Sequence, residues 1–139
     1  MNTFSLRIYE ADDTFLTGQA EMVVIPTVDG DYGVMAGHEN MVVSVVPGKL
    51  AYRLAGQETR YAFVASGMMR IEDNEVLILT EAAEHPEEID MVLAKRKEAA
   101  AREAILQKRS IQEYTLAQAT LIRAINRMRV KNDTGSGMN

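Results

Sequence analysis

No cysteine occurs among the 139 residues. Disulfides, thiolate nucleophiles and cysteine-ligated metals are therefore excluded, which suits a reducing cytoplasm. Histidine is nearly as scarce, with only His38 and His85. A zinc site would need both, plus carboxylates from separate segments, so no metal site is assigned. No run of about 18 apolar residues is present, the length a membrane-spanning helix requires. The start, Met1-Asn2-Thr3-Phe4-Ser5, lacks the basic and then apolar order of a signal peptide. There is no glycine-rich phosphate loop of the Walker type. No Ser-His-Asp order stands out, and Ser66-Gly67 reads as a turn rather than a nucleophile elbow. The formal charge of −5 is not the basic excess of a nucleic-acid binder. No catalytic residue and no nucleic-acid partner are assigned.

What is present divides at His85-Pro86. Before it, short β-like runs are punctuated by glycine. After it, about 45 residues carry helical spacing with no glycine or proline until Gly135. Charge reverses near the same point. Met1 to Glu88 holds 15 acidic and 5 basic residues, a net of −10; Ile89 to Asn139 holds 5 and 10, a net of +5. At this length, one domain with an appendage is the natural expectation.

Phe4, Leu6 and Ile8 alternate with Ser5 and Arg7, the period of a strand with one buried face. Leu50, Tyr52 and Leu54 repeat the pattern, then Tyr61, Phe63 and Ala65, then Met69 and Ile71. Val76 to Thr80 closes the series. Met22-Val23-Val24-Ile25, stopped by Pro26, and Val42 to Val46, ending at Pro47-Gly48, are continuous apolar runs that predict burial on both faces. Turns fall at Gly56, Ser66-Gly67 and Asp73-Asn74. Strands at this spacing indicate a sandwich or barrel, and the lack of intervening helices predicts antiparallel pairing.

The second part predicts a helical hairpin. Glu87, Glu88 and Asp90 suit the positive end of a helix dipole. Ile89 through Gln107 is rich in good helix formers. Ser110 and Glu113 have capping-box spacing, opening a second helix to about Val130. Tyr114, Ala117, Leu121, Ala124 and Met128 form one stripe, facing a rougher one of Ile89, Leu93, Ala100 and Ala104. The fold class is therefore α+β, with a sandwich over 1–85, a two-helix hairpin over 86–131 and a frayed tail over 132–139. An alanine-lined seam buries little area. At roughly 0.8 kcal/mol per methylene it is several kcal/mol weaker than a leucine seam, so the hairpin needs a further surface.

Two carboxylate pairs, Asp12-Asp13 and Asp29/Asp31, lie in predicted turns, where aspartate is favoured for backbone reasons. The densest feature runs Asp29-Gly30-Asp31-Tyr32-Gly33-Val34-Met35-Ala36-Gly37-His38-Glu39-Asn40. Taken alone it reads as a tight loop with its glycines at positive φ and His38 exposed. The functional alternative is a rigid contact loop. On composition and spacing, the chain is an interaction protein rather than an enzyme.

Gly30-Asp31-Tyr32-Gly33, Gly37-His38 and the apolar run into Pro47-Gly48 resemble the epsilon subunit of bacterial F-type ATP synthases. So do Ser66-Gly67 followed by Ile71, Asn74, Val76, Leu77 and Leu79, and the ending Arg123-Ala124-Ile125-Asn126-Arg127-Met128-Arg129-Val130. The resemblance covers nearly the whole chain. It implies a sandwich of about ten strands followed by two helices. It also implies a non-catalytic rotor subunit of a proton-translocating ATP synthase, peripheral on the cytoplasmic side of the cell membrane. Its partners would be gamma and the c-subunit ring, with alpha and beta reached by a hairpin that restrains ATP hydrolysis. Asp31 and Tyr32 map to the c-ring contact, and His38 to a gamma-proximal position. Two departures stand out. Ala36 and Glu39-Asn40 replace the family's prolines around Gly-His, predicting a less stiff loop. The ATP motif of some members, Ile/Leu-Asp-x-x-Arg-Ala, reads Ile89-Asp90-Met91-Val92-Leu93-Ala94. Its arginine is Leu93, although Arg123 and Arg127 match the second half of that site. Arg96 lies on nearly the same face, about 4.5 Å further along the axis. No cofactor is required. ATP as a regulatory ligand of Asp90, Arg123 and Arg127 defines the alternative, a small nucleotide-sensing module. A basic face that is solvated or meets alpha and beta is the preferred reading of those arginines.

Overall fold

The computed structural model describes residues 2–107 and 110–136. The chain divides into two compact units, Met1–His85 and Pro86–Asn139.

Among the described residues the first unit holds nine strands: β1 Phe4–Glu10, β2 Asp13–Thr27, β3 Gly30–Met35, β4 Met41–Val45, β5 Gly48–Leu54, β6 Thr59–Val64, β7 Gly67–Glu72, β8 Glu75–Thr80 and β9 Ala83–Glu84. One hydrogen-bonded ladder runs β4-β7-β8-β1-β2-β5-β6-β9, with β3 also on β2. The 15-residue β2 is what makes two layers of it. Its first half pairs with β1, and its second half with β3 and β5. The register with β5 slips between Ala20 and Met22, a bulge that bends the strand. Core-facing positions change parity there. Leu16 and Ala20 face inward before the bulge, Val23 and Ile25 after it. One strand thus serves both layers. The core lies between them, with Phe4, Leu6, Ile8, Met69, Ile71 and Ile78 from one side and Ile25, Val34, Leu50, Tyr52 and Val64 from the other. Each large side chain contributes about 1.5–3 kcal/mol on burial.

Several strand expectations change on folding. All ladders are antiparallel except β1–β8, which is parallel over Ser5–Glu10 and Glu75–Thr80. The two apolar runs are not buried on both faces. Val42 on β4 is 62% exposed, on the outer face of the β4-β7-β8-β1 layer, where Met68 and Leu79 are exposed as well. Met22 and Val24 alternate with buried Val23 and Ile25. Nor does Pro26 stop its strand. It sits opposite Asp31, and its carbonyl accepts from the Val46 amide at 3.1 Å. The expected loop around Asp31 is largely strand, since β3 zips onto β2. Of its three glycines, Gly30 and Gly37 have positive φ while Gly33 is ordinary strand. Asp73 and Asn74, at φ 51° and 63°, make the two-residue turn joining β7 to β8, the conformation that suits a right-twisted hairpin.

Gly67 is fixed by space rather than by φ. A Cβ there would strike the Leu79 carbonyl oxygen and come within 2.8 Å of Thr80 Cα. The nearby Thr80 hydroxyl, buried, lies 3.0 Å from the Ala65 carbonyl, 3.1 Å from that of Ala82 and 3.3 Å from that of Ser66. These contacts pin the bend through Ser66 to the end of β8. Glu21, displaced by the bulge, accepts from Arg53 Nε at 2.9 Å and from the Gly56 amide at 3.2 Å. That amide and the Arg53 guanidinium hold its carboxyl below the ordinary 4.5.

In the second unit a short 3-10 turn, Pro86–Glu88, precedes α1, Met91–Gln107, and α2, Ile111–Ser136. Asp90 is the N-cap of α1, accepting from the Leu93 amide at 3.1 Å. Ser110 caps α2 through the Glu113 amide, also at 3.1 Å. The seam of α1 is Ala94 and Ala101, seven residues apart, against Ala117 and Ala124 of α2. Of the expected α1 stripe, Ile89 is buried and Ala104 half-buried, while Leu93, 46% exposed, and Ala100, also exposed, are corrected. Small residues win the seam because they let the helices approach closely. Lys131 Nζ donates to the Pro86 carbonyl at 2.9 Å. The second helix runs on to Ser136, past the expected end at Val130 and into the expected tail. Thr134 bonds back to the Val130 carbonyl at 2.7 Å. Residues 137–139 lie outside the described residues.

Candidate functional site

In the first unit, β3 and the turn after it gather the residues singled out for partner contact. Successive strand residues point to opposite faces, so Asp31 is exposed while Tyr32 packs against the core. The Tyr32 hydroxyl lies 2.9 Å from His38 Nε2 and 3.0 Å from Met41 Sδ. The rings meet edge to face at 5.7 Å. His38 Nδ1 is 2.9 Å from the Glu39 carbonyl. A carbonyl only accepts, so Nδ1 carries a hydrogen and donates to Glu39, which turns Nε2 toward the Tyr32 hydroxyl. His38 is thus half-buried and held at both nitrogens, not merely exposed. The structure brings Tyr32 and His38 together and turns Asp31 the other way, alongside exposed Met35.

The backbone around His38 is held as well. The Gly37 amide donates to Asn74 Oδ1 at 2.8 Å, and the Asp73 amide to Asn40 Oδ1 at 2.9 Å. Asn74 Nδ2 donates to the Thr3 carbonyl at 2.9 Å. The sequence marks Asn74 as a turn residue and as part of the family pattern, but not as a tie to Gly37. Bonds between residues 37 positions apart leave no local spacing to read.

A second feature is the outer face of the β4-β7-β8-β1 layer. Ser44, Met68, Leu79 and Tyr9 are successive cross-strand partners, and Val42, Arg70, Leu77 and Arg7 form the next row. Val42, Met68 and Leu79 are 62%, 40% and 41% exposed. Contiguous exposed apolar side chains rimmed by charge are characteristic of contact surfaces. Periodicity placed these residues on strands without showing that three strands align them.

The other candidate set lies in the second unit. The Asp90 carboxylate is engaged as the α1 cap. Arg123 and Arg127, four residues apart on α2, are half-buried and already have interactions within the chain. Leu93 and Arg96 are exposed on α1. Asp90 and Arg127 each lie four residues inside the Lys131–Pro86 bond. Among the described residues, no group of three or more His, Asp or Glu side chains is arranged to hold a metal ion.

The sandwich and hairpin each match a family model. Residues 3–86 match the beta-sandwich domain of the ATP synthase delta/epsilon chain, and residues 87–132 match its long alpha-helix domain. The ATP synthase epsilon chain of Caldicellulosiruptor saccharolyticus is 36% identical over 137 residues, 99% of each chain. That of Ruminiclostridium cellulolyticum is 37% identical over 132 residues, 95% of this chain and 98% of its own. Among solved structures, a chain of the Euglena gracilis mitochondrial ATP synthase (OSCP/F1/c-ring) aligns with a TM-score of 0.71 and 23% identity, covering 100% of this chain and 83% of that one. A chain of the Tetrahymena thermophila central stalk/c-ring aligns with a TM-score of 0.64 and 10% identity, over 91% and 95%. Those two likenesses are of fold. With residues 3–132 matched by its two domains, the chain belongs to the ATP synthase delta/epsilon chain family.

Proposed function

We propose that this protein is a non-catalytic central-stalk subunit of an F-type, proton-translocating ATP synthase. It couples gamma to the c ring, and its hairpin restrains ATP hydrolysis. The observation that carries this reading is the relation to ATP synthase epsilon chains over 99% of both chains. The sandwich is the docking body. Its apolar face at Val42, Met68 and Leu79 seats against gamma together with His38, while Asp31 and its neighbours on β3 meet the c ring. Torque then passes through complementary surfaces, and no active site is needed. The subunit is peripheral to the cytoplasmic side of the cell membrane, held there by the complex. Among the described residues no helix is long and apolar enough to cross a membrane.

The hairpin is the regulatory part. Its alanine seam holds the two helices together weakly, while Val92, Leu93, Leu106, Leu116 and Ile122 remain exposed. A net charge of +5 from Ile89 onward suits acidic surfaces on alpha and beta, most strongly at low ionic strength. ATP is not required for this action: Asp90 is occupied in capping and Leu93 supplies no positive charge. Titration calorimetry with MgATP should give no binding heat at millimolar nucleotide. A saturable heat lost in Arg123→Ala would instead favour nucleotide sensing. The main test is a complex reconstituted with the chain lacking residues 89–139. Hydrolysis should rise while assembly persists. Unchanged hydrolysis refutes the restraint, and failed assembly refutes docking through the sandwich.

A further inference from the structure

We infer that Asn74, seconded by Asn40, is a positioning residue that holds the turn over residues 37–40 in the shape that presents His38 to a partner. The inference rests on the reading of His38 as a partner-contact residue.

Residues 36–40 carry no strand pairing, and Ala36 and Glu39-Asn40 contribute none of the stiffness of proline. Side-chain bonds to and from the neighbouring β7–β8 turn supply the restraint. Asn74 takes a left-handed backbone, φ 63°, and its amide side chain makes two bonds at once. Oδ1 accepts from the Gly37 amide at 2.8 Å, and Nδ2 donates to the Thr3 carbonyl at 2.9 Å. Its own carbonyl accepts from the Ser5 amide at 3.3 Å. Asn40 returns the contact, accepting from the Asp73 amide at 2.9 Å. The 37–40 turn, the β7–β8 turn and the start of β1 are therefore tied into one unit. His38 sits between the two tie points, its ring fixed by Tyr32 and the Glu39 carbonyl.

A segment ordered before binding does not pay its ordering entropy on binding. The two asparagines would act on affinity without touching the partner. Left-handed backbone also narrows the replacements. Glycine keeps the turn but removes both side-chain bonds, whereas aspartate keeps the acceptor for Gly37 and loses only the donor to Thr3.

The test compares the full chain with Asn74→Gly, Asn74→Asp and Asn40→Ala. Amide exchange is followed residue by residue, beside affinity for isolated gamma. Asn74→Gly should speed exchange at Gly37 by about tenfold or more and weaken gamma binding, with the exchange of core strands β1 and β8 unchanged. Asn74→Asp should restore most of both. Asn40→Ala should release the Asp73 amide. Wild-type protection of Gly37 in Asn74→Gly overturns the inference, whatever gamma does. Loss of Gly37 protection with unaltered gamma affinity overturns the docking role. Failure of the wild-type chain to bind gamma at all refutes the underlying functional reading, while the exchange data still report on the tie itself.

Discussion

Replacing Gly67 by alanine tests whether the sandwich depends on one backbone contact. Gly67 opens β7 and is paired on both edges, with Val45 of β4 and Thr80 of β8. An added Cβ would meet the Leu79 carbonyl oxygen, with Thr80 Cα at 2.8 Å and the Leu79 carbonyl carbon at 3.0 Å. All three are main-chain atoms of a paired strand, so no side chain can swing aside. The strands must separate, loosening the Thr80 hydroxyl contacts and the 3.0 Å bond from the Glu81 amide to the Ser66 carbonyl. Overpacking ordinarily costs about 1–3 kcal/mol, and a rigid obstacle places this case in the upper part of that range. Reduced freedom of the unfolded chain returns about 0.4–1 kcal/mol. The net expectation is a loss of about 2 kcal/mol. For a domain of this size that lowers the melting midpoint by about 8–16 °C. Urea unfolding followed by circular dichroism gives the free energy, and a thermal scan gives the midpoint. Gly56 is the control. It has φ +72° and nothing within 4 Å of a built Cβ, so Gly56→Ala should cost only the left-handed backbone penalty of about 1 kcal/mol, partly recovered by asparagine. Gly67→Asn should be no better than Gly67→Ala. A loss below about 0.5 kcal/mol in Gly67→Ala, the range of an ordinary surface change, would refute the steric argument.

Thr80→Val keeps the volume but removes the hydroxyl shared among three carbonyls; it should cost about 1–3 kcal/mol in urea unfolding, and a neutral result would mean those carbonyls find other partners. Because the Glu21 carboxyl is held below its ordinary 4.5, it supports the fold above that value, and the support fades as pH falls through the lower, folded value. Glu21→Gln should therefore flatten the wild-type fall in stability between neutral pH and the acid range; parallel profiles would show that the bulge contacts carry no pH-dependent stability. Ala124, fully buried in the hairpin seam, should not accept leucine. Ala124→Leu should force α1 and α2 apart and speed amide exchange throughout the hairpin while leaving the sandwich unmoved, and slower exchange would show a cavity in the seam.

Local periodicity carried much of this fold. Phe4, Leu6 and Ile8 read as one buried face because the side-chain period of a strand is a property of the chain itself. Ser110 read as a helix cap for the same kind of reason, since its oxygen needs only the amide three residues on. The segment around Asp31 did not read as strand. Its glycines and aspartates have low strand propensity, and only pairing with the second half of β2 overrides that. The α1 seam was misplaced by one residue because alanine is common on several faces of that helix, and only the partner helix selects Ala94 and Ala101.

The two-part plan, the boundary near His85-Pro86 with its charge reversal, the run of strands and the pair of capped helices are legible along the chain. All of these follow from interactions between near neighbours. Tertiary structure decided how β2 turns from one layer into the other at Glu21, which apolar residues stay exposed together at Val42, Met68 and Leu79, and how Asn74 reaches Gly37. Each depends on residues that become neighbours only when distant strands pair. Backbone pairing is specified by the sheet as a whole and is written at no single position along the chain.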